Sequence, residues 1–163
     1  MPSHTLTTLA TLVGAKLRAK GLMLTTAESC TGGWVAQTVT AIAGSSEWFE
    51  RGFVTYSNAA KMEMLRVKAG TLRKHGAVSE QTARAMAVGA LAHSRAQVAV
   101  AITGIAGPTG GSPEKPVGMV CFAWAVTDAK ISAQTRHFKG DRESVRRQSV
   151  RVALQGVVEL LEG

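Results

Sequence analysis

A short stretch near the N-terminus combines the residue types that nucleophilic catalysis requires. It runs from Leu22 to Trp34 with the sequence LMLTTAESCTGGW, in which apolar residues give way to hydroxyls, a thiol and two glycines. We interpret it as a strand, a tight turn and the start of a helix, a junction whose backbone N–H groups and helix dipole favour negative charge. Either Ser29 or Cys30 could act there as a nucleophile beside donors for an oxyanion. The alternative is a plain turn in which Thr31 caps the helix and the glycines allow close packing.

Two further segments end predicted strands with polar, turn-forming residues. Besides 28–33 (ESCTGG), these are 56–58 (YSN) and 103–107 (TGIAG). In an open α/β sheet, ligands bind beyond the carboxyl ends of the strands. If the three strands are parallel, the segments share one edge of the sheet, and this convergence favours a binding or catalytic site.

A serine nucleophile needs a base, and no histidine lies in these three segments. Lys61 follows the second segment by one helical turn, but its pKa must fall well below about 10.4 before it can accept a proton at neutral pH. Tyr56 could hydrogen-bond either Ser29 or Lys61 and relay a proton. The alternatives are a solvated helix lysine, a surface tyrosine and, for Cys30, a small buried apolar residue.

The periodicity of apolar residues predicts the elements that would position these side chains. Helices are predicted at 5–20, 34–42, 57–65, 79–94 and from Asp141 onward, and strands at 22–27, 52–56, 97–103, 118–126 and 130–138. A loop with Gly70 and Gly76 precedes the fourth helix, and the last two strands form a hairpin. The order predicts an α/β fold, a three-layer α/β/α sandwich with a mixed, mainly parallel sheet of about five strands, one of them antiparallel.

Composition limits the class of protein. The 163 residues, 45% hydrophobic and 18% charged, predict a globular chain with one domain spanning 1–163. Lys16, Arg18 and Lys20 interrupt the N-terminal apolar pattern, which argues against a signal peptide or membrane span and for a cytoplasmic protein. Two cysteines without CxxC spacing indicate a reducing compartment, and four histidines scattered singly argue against a metal site. We expect no cofactor.

A formal net charge of +8 indicates an anionic partner, which could be a nucleic acid, a nucleotide or a counter-ion cloud. An aromatic content of 5% and the lack of a binding motif argue against nucleic acid. Among the basic residues of the last helix, Arg146, Arg147 and Arg151 are predicted to form a solvated face. Arg142 lies in the first turn and could reach a phosphate at the edge of the sheet.

Six motifs, taken together, resemble those of the CinA C-terminal domain family, the bacterial nicotinamide mononucleotide deamidases. They cover nearly the whole chain: AESCTGG at 27–33, VTYSNAAK at 54–61, GAVSEQTARAMA at 76–87, ITGIAGPTGG at 102–111, KPVG at 115–118 and FKGDRESVR at 138–146. The length fits the stand-alone form of the family.

The resemblance implies metal-free hydrolysis of nicotinamide mononucleotide to nicotinic acid mononucleotide and ammonia, in pyridine nucleotide recycling. It implies Ser29 as nucleophile, Lys61 as general base and Tyr56 beside them. We expect the backbone around 30–33 to stabilise the oxyanion, and the substrate-binding residues to be Cys30, Thr31, Gly32, Gly33, Asn58, Thr103, Gly104 and Arg142. A homodimer is the default assembly. The alternative function is a non-catalytic nucleotide-binding or regulatory module linked to competence or DNA damage.

Overall fold

A five-stranded sheet with helices on both faces forms the centre of the computed structural model, which describes residues 5–129 and 131–162. The strands are β1 (Leu24–Glu28), β2 (Phe49–Val54), β3 (Val98–Gly104), β4 (Met119–Val126) and β5 (Ser132–His137). The helices are α1 (Leu6–Lys20), α2 (Trp34–Thr40), α3 (Asn58–Leu65), α4 (Ala69–His75), α5 (Glu80–Ala92) and α6 (Arg142–Glu162), with a 3₁₀ helix at Ser45–Glu47. Within the described part of the chain, no helix has both the length and the apolar character needed to cross a bilayer.

The strand order is β2-β1-β3-β4-β5, and the pairings agree with the predicted mixed sheet. β1 lies between β2 and β3 and is parallel to both, whereas β4 is antiparallel to β3 and β5. One strand therefore runs against the other four, as the sequence predicted. Because helices cover both faces of this sheet, the predicted three-layer sandwich is also confirmed. The parallel pairing also brings the carboxyl ends of β1, β2 and β3 to the same edge of the sheet.

The two faces of the sheet carry side chains of different size. In β3 and β4 the larger residues alternate onto the face covered by α1, α2 and α6, and they are Val98, Val100, Ile102, Val120, Phe122 and Trp124. The opposite face carries Ala99, Ala101, Cys121, Ala123 and Ala125, which pack against the alanine-rich helix α5. Because side chains alternate along a strand, the pattern VAVAI in β3 by itself builds one thick and one thin layer.

The segment around Gly70 and Gly76 is not the loop that the sequence predicted. It contains α4, with Gly70 in the first turn and Gly76 immediately after the last residue at φ 79°. Glycine lowers helix propensity, but α4 packs beside α5, and tertiary contacts outweigh that preference. Gly76 ends the helix because glycine adopts positive φ at little cost.

The second strand begins three residues earlier and ends two residues earlier than predicted. It includes Glu50 and Arg51, which sequence propensity does not assign to a strand, because β2 is at the edge of the sheet, where Arg51 is exposed and pairs with Glu50. The predicted start of the last strand, Lys130, lies outside the described residues. The other predicted elements are confirmed with shifts of a few residues at their ends.

Close packing of α5 against Leu65 leaves no room for a side chain at Gly89. A β-carbon on Gly89 would overlap the backbone carbonyl of Leu65, whereas one on Gly70 would make only an ordinary contact with the end of the Arg73 side chain. We expect Gly89→Ala to lower the free energy of unfolding by about 1–3 kcal/mol, because backbone must move. Gly70→Ala should leave it unchanged or raise it by about 0.5–1 kcal/mol. Urea unfolding of both variants checks this, and equal effects would contradict it.

Candidate active site

The turn between β1 and α2 is held by the buried carboxylate of Glu28. Its oxygens accept hydrogen bonds from Thr31 Oγ1 at 2.6 Å, Val35 N at 2.9 Å and Ala36 N at 3.0 Å. These two backbone N–H groups belong to the first turn of α2, beyond the backbone of 30–33 that the sequence suggested for an oxyanion, so Glu28 leaves those donors free. The carboxylate thus fixes the turn that carries the next residue, Ser29.

The hydroxyl of Ser29 lies beside the amine of Lys61. Ser57 caps α3 by accepting a hydrogen bond from Ala60 N at 3.0 Å, and Lys61 lies one turn farther along the helix. Lys61 is only 1% exposed, and its Nζ is 3.0 Å from Ser29 Oγ. The structure therefore brings together two side chains that are 32 residues apart in the chain.

The surroundings of Lys61 favour its neutral form. Nζ donates to the carbonyl oxygens of Thr55 at 2.9 Å and Tyr56 at 3.4 Å, and it forms no ion pair with a carboxylate in the described chain. Burial lowers the pKa of Lys61 below its usual value. A neutral amine has two N–H donors and one lone pair, so the two carbonyls can take its donors while the lone pair faces Ser29.

Cys30 differs from Ser29 in its chemistry. Its side chain is buried, and burial raises the pKa of the Cys30 thiol to about 12. Only the thiolate is a strong nucleophile, so a thiol that stays protonated near neutral pH is inert. Of the two candidate nucleophiles that the sequence left open, the geometry and ionisation favour Ser29.

Tyr56 contacts Arg142 rather than the serine or the lysine through its hydroxyl. The side chain of Tyr56 is largely exposed, and its hydroxyl oxygen accepts a hydrogen bond from Arg142 Nη2 at 3.1 Å. Arg142 also donates from Nη1 to the carbonyl oxygen of Gly107 at 2.8 Å. Only the backbone carbonyl of Tyr56 reaches Lys61, so the hydroxyl is not part of a proton relay in this arrangement.

A pocket of about 250 Å³ opens above the Ser29–Lys61 pair. Most of the predicted site residues line it, namely Ser29, Cys30, Tyr56, Asn58, Lys61, Thr103, Gly104 and Arg142. Thr31, Gly32 and Gly33 do not line it and instead form the turn behind the serine. Ile105, Ala106 and Gly107 also line it, within the segment 103–107 that the sequence placed at this edge, whereas the sequence analysis missed Ala77, Val78, Thr109 and Gly110.

The backbone of the turn leaves few N–H groups available to a ligand. The N–H of Ser29 donates to Ile102 O at 2.9 Å, and that of Gly32 donates to Ser29 O at 3.0 Å. The N–H groups of Cys30, Thr31 and Gly33 have no acceptor within residues 5–129 and 131–162, and of these three residues only Cys30 lines the pocket. The Cys30 N–H is therefore the candidate donor to an oxyanion, while Gly32 has a structural role.

No group of three or more His, Cys, Asp or Glu side chains suited to a metal ion occurs among the described residues. The pocket is lined by hydroxyl, amide, amine and guanidinium groups together with backbone from the glycine-rich segment after β3. These groups are suited to a polar, anionic small molecule.

The fold and the site together define a class of protein: α/β/α sandwiches with a buried serine–lysine pair at the carboxyl ends of the parallel strands. The chain belongs to the CinA C-terminal domain family, whose sequence profile matches residues 6–161. It is 56% identical to nicotinamide-nucleotide amidohydrolase PncC of Escherichia coli K12 over 155 residues, which are 95% of this chain and 94% of that protein. It is 51% identical to the protein of the same name from Pseudomonas putida, over 95% of this chain and 96% of the relative. The crystal structure of competence/damage inducible protein CihA from Agrobacterium tumefaciens superposes with a TM-score of 0.93 at 46% identity, with complete coverage of both chains.

Removing one acceptor from the turn tests the structural role of Glu28. In Glu28→Gln an amide NH₂ would replace one carboxylate oxygen and leave a backbone or hydroxyl donor without an acceptor. We expect the free energy of unfolding to fall by about 1–3 kcal/mol. Glu47→Gln, which alters only an exposed pair with Arg18, should change it by less than about 0.5 kcal/mol. Urea unfolding measures both, and a Glu28→Gln chain as stable as the wild type would contradict the assignment.

Proposed function

We propose that the protein is an amidohydrolase that converts nicotinamide mononucleotide to nicotinic acid mononucleotide and ammonia, in pyridine nucleotide recycling. The observation that carries the proposal is the 3.0 Å contact between Lys61 Nζ and Ser29 Oγ beneath the pocket. The similarity to the Escherichia coli and Pseudomonas putida amidohydrolases supports the choice of substrate.

In the first half of the reaction, Ser29 Oγ attacks the carbon of the carboxamide. The neutral amine of Lys61 takes the serine proton as the O–C bond forms, and the carbonyl oxygen becomes an oxyanion facing the backbone N–H groups of the turn. Collapse of this intermediate breaks the C–N bond. Lys61 gives its proton to the departing nitrogen, so ammonia leaves and the nicotinoyl group remains as an ester on Ser29.

In the second half, water replaces ammonia. Lys61, again neutral, takes a proton from water as the water oxygen attacks the ester carbon. When the bond to Ser29 breaks, Lys61 returns that proton to Oγ and nicotinic acid mononucleotide leaves. The protein is restored with one water consumed, and no step requires a metal ion.

The other pocket groups are assigned to binding. Asn58, Thr103 and Gly104 face the nucleotide, and Arg142 supplies positive charge for its phosphate at the mouth of the pocket. Tyr56, bonded to Arg142, is a positioning contact at the same mouth. Thr103 is itself fixed because its hydroxyl donates to Ala77 O at 2.7 Å.

Two substitutions test the pair directly. Ser29→Ala removes the nucleophile and Lys61→Met removes the base, so each should reduce ammonia release from nicotinamide mononucleotide by roughly 10³-fold or more. The exposed Lys74 provides a matched control, since Lys74→Met should retain activity. Ammonia is measured with a chelator present, and circular dichroism verifies folding. Substantial turnover by either pair variant would overturn the mechanism, and binding without turnover by the wild type would favour a regulatory module.

The ionisation of Lys61 predicts the pH dependence. Because burial lowers the pKa of Lys61, a larger fraction is neutral at a given pH than for a free lysine, and deprotonation creates the active base. We expect kcat/KM to rise with pH along an acid limb whose midpoint lies below the usual lysine value of about 10.4. Rates measured from about pH 6 to about pH 10 test this expectation. A profile that falls with increasing pH across that range would contradict Lys61 as the base.

A further inference from the structure

The sequence context of Arg146 predicted a position on a solvated helix face, and the structure shows that this prediction is wrong. Arg146 projects from α6 to the β1–α2 turn, where Nε donates to Cys30 O at 3.0 Å and Nη2 donates to Thr31 O at 3.1 Å. Its Cζ also lies 5.5 Å from the centre of the Trp34 ring. Two directional hydrogen bonds and an aromatic surface therefore fix the guanidinium on the turn that follows the nucleophile.

The two carbonyls that Arg146 binds belong to peptide groups important for the site. A trans peptide is planar with its C=O and N–H pointing in opposite directions, so holding one group orients the other. Cys30 O shares a peptide with the N–H of Thr31, so the bond from Arg146 fixes the peptide that follows Cys30. Thr31 O shares a peptide with the N–H of Gly32, which donates to the carbonyl of Ser29. The Ser29 carbonyl shares a peptide with the Cys30 N–H, so a single side chain orients, through Gly32, the donor that lines the pocket.

Arg146 and Glu28 bind the turn by opposite chemistry. Glu28 accepts from N–H groups and the Thr31 hydroxyl, whereas Arg146 donates to carbonyl oxygens. A cationic donor on a carbonyl draws electron density through the peptide and strengthens its N–H as a donor. The positive charge of Arg146 also offsets the negative charge of Glu28, which would otherwise disfavour an oxyanion at this turn.

We propose that Arg146 is a positioning residue for catalysis, holding the Cys30–Thr31 and Thr31–Gly32 peptide groups so that the Cys30 N–H is aligned to stabilise the oxyanion formed at Ser29. The proposal rests on the amidohydrolase function proposed above. Its effect is on the transition state rather than on substrate binding, because Arg146 does not line the pocket.

The chain offers a close control in Arg147. Its Cζ lies 5.2 Å from the centre of the same Trp34 ring, but its guanidinium pairs with Glu143 at 2.9 Å and donates no hydrogen bond to the turn. Arg147→Ala therefore removes the same charge and a similar aromatic contact without releasing either carbonyl.

The decisive experiment compares kcat and KM for ammonia release among Arg146→Ala, Arg146→Lys and Arg147→Ala. We expect kcat to fall about 10–100-fold in Arg146→Ala with KM within about 2-fold, and Arg147→Ala to match the wild type. Lysine replaces a two-pronged donor with one point donor, so Arg146→Lys should recover only part of kcat. Added guanidinium ion should raise kcat of Arg146→Ala and leave that of Arg147→Ala unchanged.

A second measurement is independent of the substrate. A fluorophosphonate forms an Oγ–P bond with an activated serine and releases fluoride, and intact mass gives the rate of labelling at Ser29, with Ser29→Ala as the blank. If the wild type labels but releases no ammonia, the proposed function fails while the labelling rate still tests Arg146. A slower rate in Arg146→Ala than in Arg147→Ala supports the positioning role. Equal labelling rates and equal kcat in Arg146→Ala and Arg147→Ala overturn the positioning role. So does a loss of activity in Arg146→Ala that is matched by the unfolded fraction of that variant. A wild type that neither labels nor turns over overturns both proposals.

Discussion

The burial of Lys61 is the constraint on which the site depends. An ammonium group taken out of water loses its solvation, and here two backbone carbonyls and a serine hydroxyl surround it without a carboxylate. Those carbonyls are available because β2 ends at Val54, which leaves Thr55 and Tyr56 outside the strand, and Ser57 starts α3 immediately afterwards. The end of a strand, a helix cap and one helical turn thereby place a buried lysine beside Ser29 in place of a surface cation.

The unequal faces of the sheet complete this arrangement. Small side chains beneath α5 bring that helix and the segment before it close to the sheet. As a result, Ala77 reaches the end of β3, where its carbonyl accepts the Thr103 hydroxyl, and it forms part of the pocket wall. The large side chains on the other face support α6, which carries Arg142 and Arg146 to the same edge. Packing on both faces therefore delivers groups to one pocket.

Local pattern was sufficient to predict the layers and the approach of Ser29 to Lys61. Both residues follow parallel strands, whose carboxyl ends must meet at one edge once the strands pair. The role of Arg146 could not be predicted in this way, because its partners are more than a hundred residues distant and only the packing of α6 brings them together. The partner of the Tyr56 hydroxyl depends on the same packing, and α4 formed despite its weak local propensity.

The reversed direction of β4 has a consequence for how such a site can diversify. Because β4 is antiparallel to β3, the segment 105–118 leaves and re-enters the sheet at the same edge, directly over the pocket. It closes a loop on the surface and carries no crossover helix, and the entropic cost of lengthening such a loop grows only slowly. The part of the pocket wall that 105–110 forms can therefore be exchanged, lengthened or shortened while the strands that bring Ser29 and Lys61 together stay unaltered. One wall of the pocket and the serine–lysine pair beneath it thus belong to separable parts of one small scaffold.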